Sequence, residues 1–398
     1  MESTILLEFI KGFGRFFLNP IVYWIIVLMI MSSYDRIKKE RYYFLFETSR
    51  LASETKQTIR LTIIASILLA FLTLGVGVAL TYEIIILLMG ITLILSITYR
   101  LSALSASYTL GLTYIILQFL PESSAMMQKT TSLTLSSLAL LIGLLLLLES
   151  IMFLRMKGND FYPSLVHSRR GRWYGLQHLK RLAIIPLITL VPSGTLTPFG
   201  DFWPYFTIAD QSYSLFVFPV LIGFHHVVTG ELPQHAARKL GQLIMSLASL
   251  VIIFSLLSIQ LPGLSFVAVI IAISGRFLIH WQYYKKDVQR PPIFIENDRT
   301  VKILGLIHDS PAEKLGFFIG ETIQKVNGKR ITSVAQFDQL LKINEGLVTF
   351  EVVGIDNKVR QIDNNRYVGD RLDLGILLTA RPYSLQASSA LRQADDES

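Results

Sequence analysis

The stretch SPAEKLGFFIGETIQKVNGKRI, residues 310–331, carries the local signals of a small soluble α/β unit. Ser310 stands before Pro311 as an N-cap before the first helical residue, where a missing N–H costs nothing. Gly316 closes that short helix. Glu321–Val326 is β-prone, and Asn327-Gly328 is the pair a type I′ turn requires, because both central residues need positive φ. Reading outward, Val301–Ile307 is a strand on the N-terminal side. On the other side Ser333 to Gln336 is a capping box, opening a helix with Val334, Phe337, Leu340 and Leu341 on one face. Leu347–Val353 and Val359–Ile362 are strands joined by a turn at Asp356-Asn357.

Upstream the composition changes. The 398 residues are 52% apolar and 17% charged, with a mean hydropathy of +0.49; an ordinary soluble domain has about 25% charged residues. The deficit lies in residues 1–290. Apolar segments fall near 17–34, 61–80, 84–99, 102–120, 132–153, 182–198, 213–228, 241–259 and 264–280, each near the roughly 20 residues that cross a bilayer as a helix. The fold expected is a membrane all-α bundle of eight or nine transmembrane helices, residues 1–282, then a linker over 283–298. A small α+β unit would follow over 299–378, and a disordered tail over 379–398. No cleavable signal peptide is evident.

The pI of 9.4 does not point to nucleic acid. Residues 291–398 hold 13 Lys+Arg against 15 Asp+Glu, so the basic excess belongs to the membrane part. There it concentrates in alternate connections: Arg36–Arg60, Arg100, Arg155–Arg181, Arg238-Lys239 and Lys285–Arg290. The opposite connections hold Lys129 alone. The positive-inside rule makes the basic side, and the C-terminal unit with it, cytoplasmic. Nine crossings put the N-terminus outside; Lys11 and Arg15 would sit better inside, which eight crossings allow.

Catalytic signatures fail one by one. His225, His226 and His235 are not spaced as His-Glu-x-x-His, since Glu231 follows the first two. Asp35 and Asp201 fall on opposite sides, too far apart to share a proton. Ser193-Gly194 lacks a flanking Gly and a base. With no cysteine, thiol catalysis and Cys-type zinc sites are excluded. A transport path is disfavoured as well: Glu83 and Glu149 lie near span ends and Arg276 is within snorkelling reach of one. Ser102, Ala103, Ala106, Ser107 and Gly111 form a small-residue stripe that fits packing within the bundle better than a dimer face. Pro186, Pro192, Pro198 and Pro204 suggest a kinked or re-entrant segment. The expectation is a non-enzyme with no cofactor and no metal.

Ser310-Pro-Ala312, Gly316, Gly320-Glu321, Val326-Asn-Gly328 and the helix opened by Ser333 together resemble the core of a bacterial PDZ domain. Glu321 replaces the usual Asp, and Asp356-Asn357-Lys358 the usual Gly-Lys hairpin. No carboxylate-binding loop precedes residue 299. Asp373-Leu374-Gly375-Ile376 is either that loop, moved to the end by circular permutation, or a plain closing strand. Leu304-Gly305-Leu306 has the same pattern but aligns better with an interior strand. On the permuted reading the peptide groove is Leu374, Gly375 and Ile376 opposite Val334, Phe337 and Leu341, and a ligand would add as a strand.

A polytopic bundle with one C-terminal cytoplasmic PDZ unit, together with Phe16-Phe-Leu-Asn-Pro20, Tyr23-Trp24 and the basic run Arg36–Arg41, resembles the MinJ family of cell-division topological determinants. That resemblance implies a scaffold at septum and poles. It would bridge a DivIVA-like protein to MinC and a MinD-like protein, with membrane lipid and other divisome proteins as further partners and homo-oligomerisation open. The alternative is a regulatory or substrate-presenting PDZ subunit of a membrane protease.

Overall fold

The computed structural model describes residues 14, 16–44, 51–121, 132–168, 171–196, 213–296, 300–343, 347–364 and 374–380; the expected tail lies outside them. Among the described residues the N-terminal part has seven helices: α1 (Pro20–Phe44), α2 (Leu51–Val76), α3 (Tyr82–Ile97), α4 (Ala106–Phe119), α5 (Ser132–Leu154), α6 (Pro233–Leu257) and α7 (Gly263–Val288). Five of them, α1, α2, α5, α6 and α7, are long and apolar enough to cross a membrane. Basic residues close α1 and α7 and follow α5, whereas the connections 77–81, 120–131 and 258–262 hold Lys129 alone.

The all-α expectation fails at its sixth and seventh spans. Residues expected to cross as helices at 182–198 and 213–228 belong instead to β2 (Trp173–Leu196) and β3 (Tyr213–Val228), an antiparallel pair. Apolar content cannot distinguish a buried strand from a helix. The side chains can: Ile184, Ile185, Ile188, Val191, Val217 and Val220 are β-branched, and Pro186, Pro192 and Pro219 would break a helix interior. Pro186 stands opposite Pro219, so at that level the hairpin offers no N–H to a further strand. The 16 residues of β3 extend about 50 Å at ~3.3 Å each, longer than the roughly 30 Å hydrocarbon core. Non-helical backbone survives at that depth only when protein covers it, and here it is covered. Leu182 and Leu221 pack under Ile21, Ile25 and Leu28 of α1. On the main core side, Phe224 stacks on Phe153 of α5 with ring centroids 3.7 Å apart. At the far end Leu190 bridges Ala79, and Thr73 Oγ1 donates to Ile188 O at 2.7 Å.

The expected basic connection 155–181 is also largely sheet. β1 (Phe161–His167) pairs with the first residues of β2, and buried Asp160 holds Arg181 at 3.0 Å. Spans 84–99 and 102–120 shorten to α3 and α4 around a 3-10 turn at Leu101–Leu104, with Tyr99 at φ 55°. The small-residue stripe packs inside the chain. Ser102 Oγ donates to His225 O at 2.8 Å, and Gly111 lies under Ile273 and Val269 of α7.

Residues 283–288, expected to begin a linker, continue α7; Asp287 accepts from the Thr229 and Gly230 amides at 2.9 and 3.0 Å. Phe294–Ile295 (β4) then pairs with Tyr174-Gly175 of β2. The C-terminal unit comprises β5 (Val301–Leu306), α8 (Pro311–Lys314), β6 (Thr322–Val326), β7 (Lys329–Arg330), α9 (Val334–Ile343), β8 (Val348–Val353), β9 (Val359–Asn364) and β10 (Ile376–Leu378). Its sheet runs β10-β5-β6-β8-β9, with β7 paired to β6. The local signals sit where the residues put them. Ser310 Oγ accepts from Glu313 N, Asn327 and Gly328 have φ 48° and 77°, and Ser333 Oγ accepts from Gln336 N. Phe317, Phe337, Phe350 and Ile323 centre its core.

The two parts touch. Leu304 and Leu377 of the sheet meet Phe44, Leu165 and Phe294 in one apolar cluster, and Gln177 Nε2 donates to Leu304 O.

Candidate functional site

Among the described residues β10 is the end strand of its sheet, bonded to β5 on one side only. Leu374, Ile376, Phe337 and Leu341 come together in the C-terminal core, with Val334 packed at its margin. Gly375, at φ 85°, takes a backbone conformation that side chains disfavour. Its carbonyl accepts from Ile307 N at 2.9 Å, and a Cβ there would lie 2.2 Å from Ser310 Cβ. All six groove candidates therefore lie on β10, the turn before it, or α9. Ile376, Phe337 and Leu341 are fully buried in the same core cluster, so the apolar floor is filled by the protein's own side chains. Asp373 lies outside the described residues. Glu321, the departure from the usual Asp, is buried and tied on both oxygens: Phe318 N donates to one at 2.9 Å, and Arg360 Nη2 to the other at 2.6 Å. It shapes the loop between α8 and β6.

Two polar groupings in the N-terminal part were not foreseen. Arg276 does not snorkel. It is 1% exposed and donates to Glu149 Oε1 from Nε at 3.0 Å and Nη2 at 2.7 Å, while Ser105 Oγ donates to Glu149 Oε2 at 2.6 Å. The break between α3 and α4 puts Ser105 there. The second grouping is a row across three strands: Ser164 Oγ to His178 Nε2 at 2.8 Å, and His178 Nδ1 to His225 Nε2 at 2.9 Å. A hydroxyl bonded to an imidazole is the start of a nucleophile relay. Here Ser164 and His178 are 6% and 8% exposed, and Tyr162 stacks on the His178 ring at 4.4 Å. The row reads as a sealed cross-strand network. His226 turns to the other face of β3 and meets His280 at 3.1 Å; His235 lies apart, on α6.

Among the described residues one group of three, His308, Asp309 and Glu313, has ligand atoms within 4.8 Å of one another. Glu313 there already accepts from Asp309 N and faces His308 Nδ1 at 3.3 Å. A cleft of about 600 Å³ lies between Arg290–Ile293 and the edge of the C-terminal sheet, lined by Lys302, whose ammonium is held below its ordinary pKa by burial.

No protein-family model matches the chain. Over 383 residues it is 29% identical to the cell division topological determinant MinJ of Bacillus subtilis (strain 168), covering 93% of this chain and 95% of that protein. The chain is MinJ-like. An alignment of that length runs through helices, hairpin and C-terminal sheet alike, so the MinJ likeness belongs to the whole architecture.

Proposed function

We propose that this protein is a non-enzymatic membrane scaffold that positions cell-division regulators, with its C-terminal unit acting as a permuted PDZ module. The observation that carries the reading is the likeness, over almost the full length of both chains, to a protein named a cell division topological determinant. Several helices long and apolar enough to cross a membrane support a membrane location. The partners in this reading are a DivIVA-like polar protein and the MinC and MinD-like inhibitor pair, recruited on the cytoplasmic side at septum and poles. A peptide would add to the open edge of β10, with Leu374, Gly375 and Ile376 on one side and Val334, Phe337 and Leu341 on the other. Entry requires α9 to move outward, because Ile376 and Phe337 now fill the space between them.

A fluorescent fusion of the full chain should gather at division sites, and cells lacking the protein should form filaments or minicells. Uniform membrane fluorescence with normal division would overturn the scaffold reading, and accumulation of an uncleaved membrane substrate would favour the protease-subunit alternative. For the groove, Val334→Asp alters a half-buried residue at the margin of α9 and leaves the core intact. It should lower partner affinity about tenfold, or 1.4 kcal/mol. Gly375→Glu is a poorer probe, since its side chain would collide with Ser310. Unchanged partner binding by Val334→Asp would move the site off this groove.

A further inference from the structure

A cleft of about 740 Å³ lies where the helices end and the C-terminal unit begins. Its floor is Leu154, the last residue of α5, with Met156 and Lys157. One wall is the start of α6 with Arg238, and the other is the Phe317-Phe318-Ile319 loop. Lys157 and Arg238 are exposed, and neither has an acidic partner among the described residues. Arg181, Arg290 and Arg360 are committed to Asp160, Glu231 and Glu321, and the exposed Arg155, Lys239 and Lys314 do not line the cleft. The acidic residue lining the cleft, Glu313, already faces His308. The cleft thus joins two free cations to an apolar surface that includes Phe318, 51% exposed.

We propose that this cleft holds the headgroup of an anionic phospholipid. This rests on the membrane reading above: with α5 and α6 crossing the bilayer, the end of α5 and the start of α6 stand where headgroups begin, on the basic side, where anionic lipid is attracted by about 1 kcal/mol per Lys or Arg. A phosphodiester there meets Lys157 and Arg238, while its glycerol and first methylenes meet Leu154, Met156 and Phe318. A soluble phosphate would use the two cations and leave the apolar half of the cleft empty. With a headgroup in place, the lipid contacts both the helices and the 317–319 loop, and so links membrane composition to the seating of the C-terminal unit.

The test uses the full chain in detergent, offered equal phosphatidylglycerol and phosphatidylcholine, with retained lipid read by native mass spectrometry. Phosphatidylglycerol should be preferred at least tenfold. Lys157→Ala/Arg238→Ala should abolish the preference, and the charge-keeping Lys157→Arg/Arg238→Lys should restore it. Lys285→Ala/Lys286→Ala, an equal charge loss at the same end but outside the cleft, should keep it. Millimolar inorganic phosphate should not displace the lipid. No preference in the wild type, equal loss in both alanine pairs, failure of the charge-keeping pair to restore it, or displacement by phosphate or a phosphopeptide would each overturn the proposal.

Discussion

Glu149 has partners of two kinds, the Arg276 guanidinium on α7 and the Ser105 hydroxyl at the helix break. Removing one member of a buried ion pair costs about 3–5 kcal/mol, mostly because the other charge is left bare, whereas replacing both by apolar groups is often neutral. Glu149→Ala should therefore lower the melting temperature in detergent sharply, and Glu149→Leu/Arg276→Met should recover most of the loss. Melting of Glu149→Ala at the wild-type temperature would show that the pair holds nothing. In the C-terminal unit, Asn327 combines positive φ with a bond from Thr349 N to its side-chain oxygen at 2.8 Å. Asn327→Ala/Gly328→Val loses that bond and strains both turn residues, a cost of about 1–3 kcal/mol. Hydrogen exchange across β6 and β8 of the full chain should quicken accordingly; unaltered exchange would mean that the turn tolerates a β-branched residue.

The C-terminal elements were legible because their signals are local. A cap at Ser310, a turn at Asn327-Gly328 and a second cap at Ser333 each report on the next few residues, and all three hold. The hairpin was not legible. Its apolar runs have the length of helical spans, and the prolines that mark it as strand were equally compatible with a kinked helix. Glu149 and Arg276 lie 127 positions apart, so no spacing rule connects them. The apolar groove candidates were legible as core residues, since Leu374, Ile376, Phe337 and Leu341 share one cluster, while the space left between β10 and α9 depends on tertiary packing. Legibility also failed where the sheets join. Gly175 is glycine because Leu304 Cδ1 would lie 2.4 Å from a Cβ there and Phe294 Cβ 3.1 Å. Gly175→Leu should push the C-terminal unit off β2, seen as protease cleavage near residues 289–300 and faster exchange in β4 and β5. Gly158→Ala, whose Cβ would have Gln234 Nε2 as its nearest neighbour at 3.8 Å, should leave both unchanged.

At the scale of the whole molecule, replacing two helical spans by one hairpin leaves the parity of the chain unaltered, because a hairpin leaves and returns on one side. The basic ends of α1 and α7 therefore stay together. The lack of cysteine makes this directly testable. A single cysteine at Lys286 should resist an impermeant maleimide in intact cells, while one at Leu261 should react; the reverse pattern would invert the orientation. The hairpin also bears on how the chain is made. Strands cannot be released sideways into lipid one at a time as helices can, since each bare ladder group in hydrocarbon costs several kcal/mol. β2 and β3 leave the ribosome before α6 and α7, yet Ala236, Ile244 and Ala272 of those later helices belong to the same core as Ile185 and Phe218. The nascent hairpin is therefore expected to complete its core only when the last two helices are made, sheltered until then by the insertion machinery or held at the surface. A chain stopped at residue 232 should be degraded rapidly, and supplying residues 233–398 as a separate polypeptide should rescue it. Stable membrane accumulation of the shorter chain alone would show that the earlier helices shelter the strands by themselves.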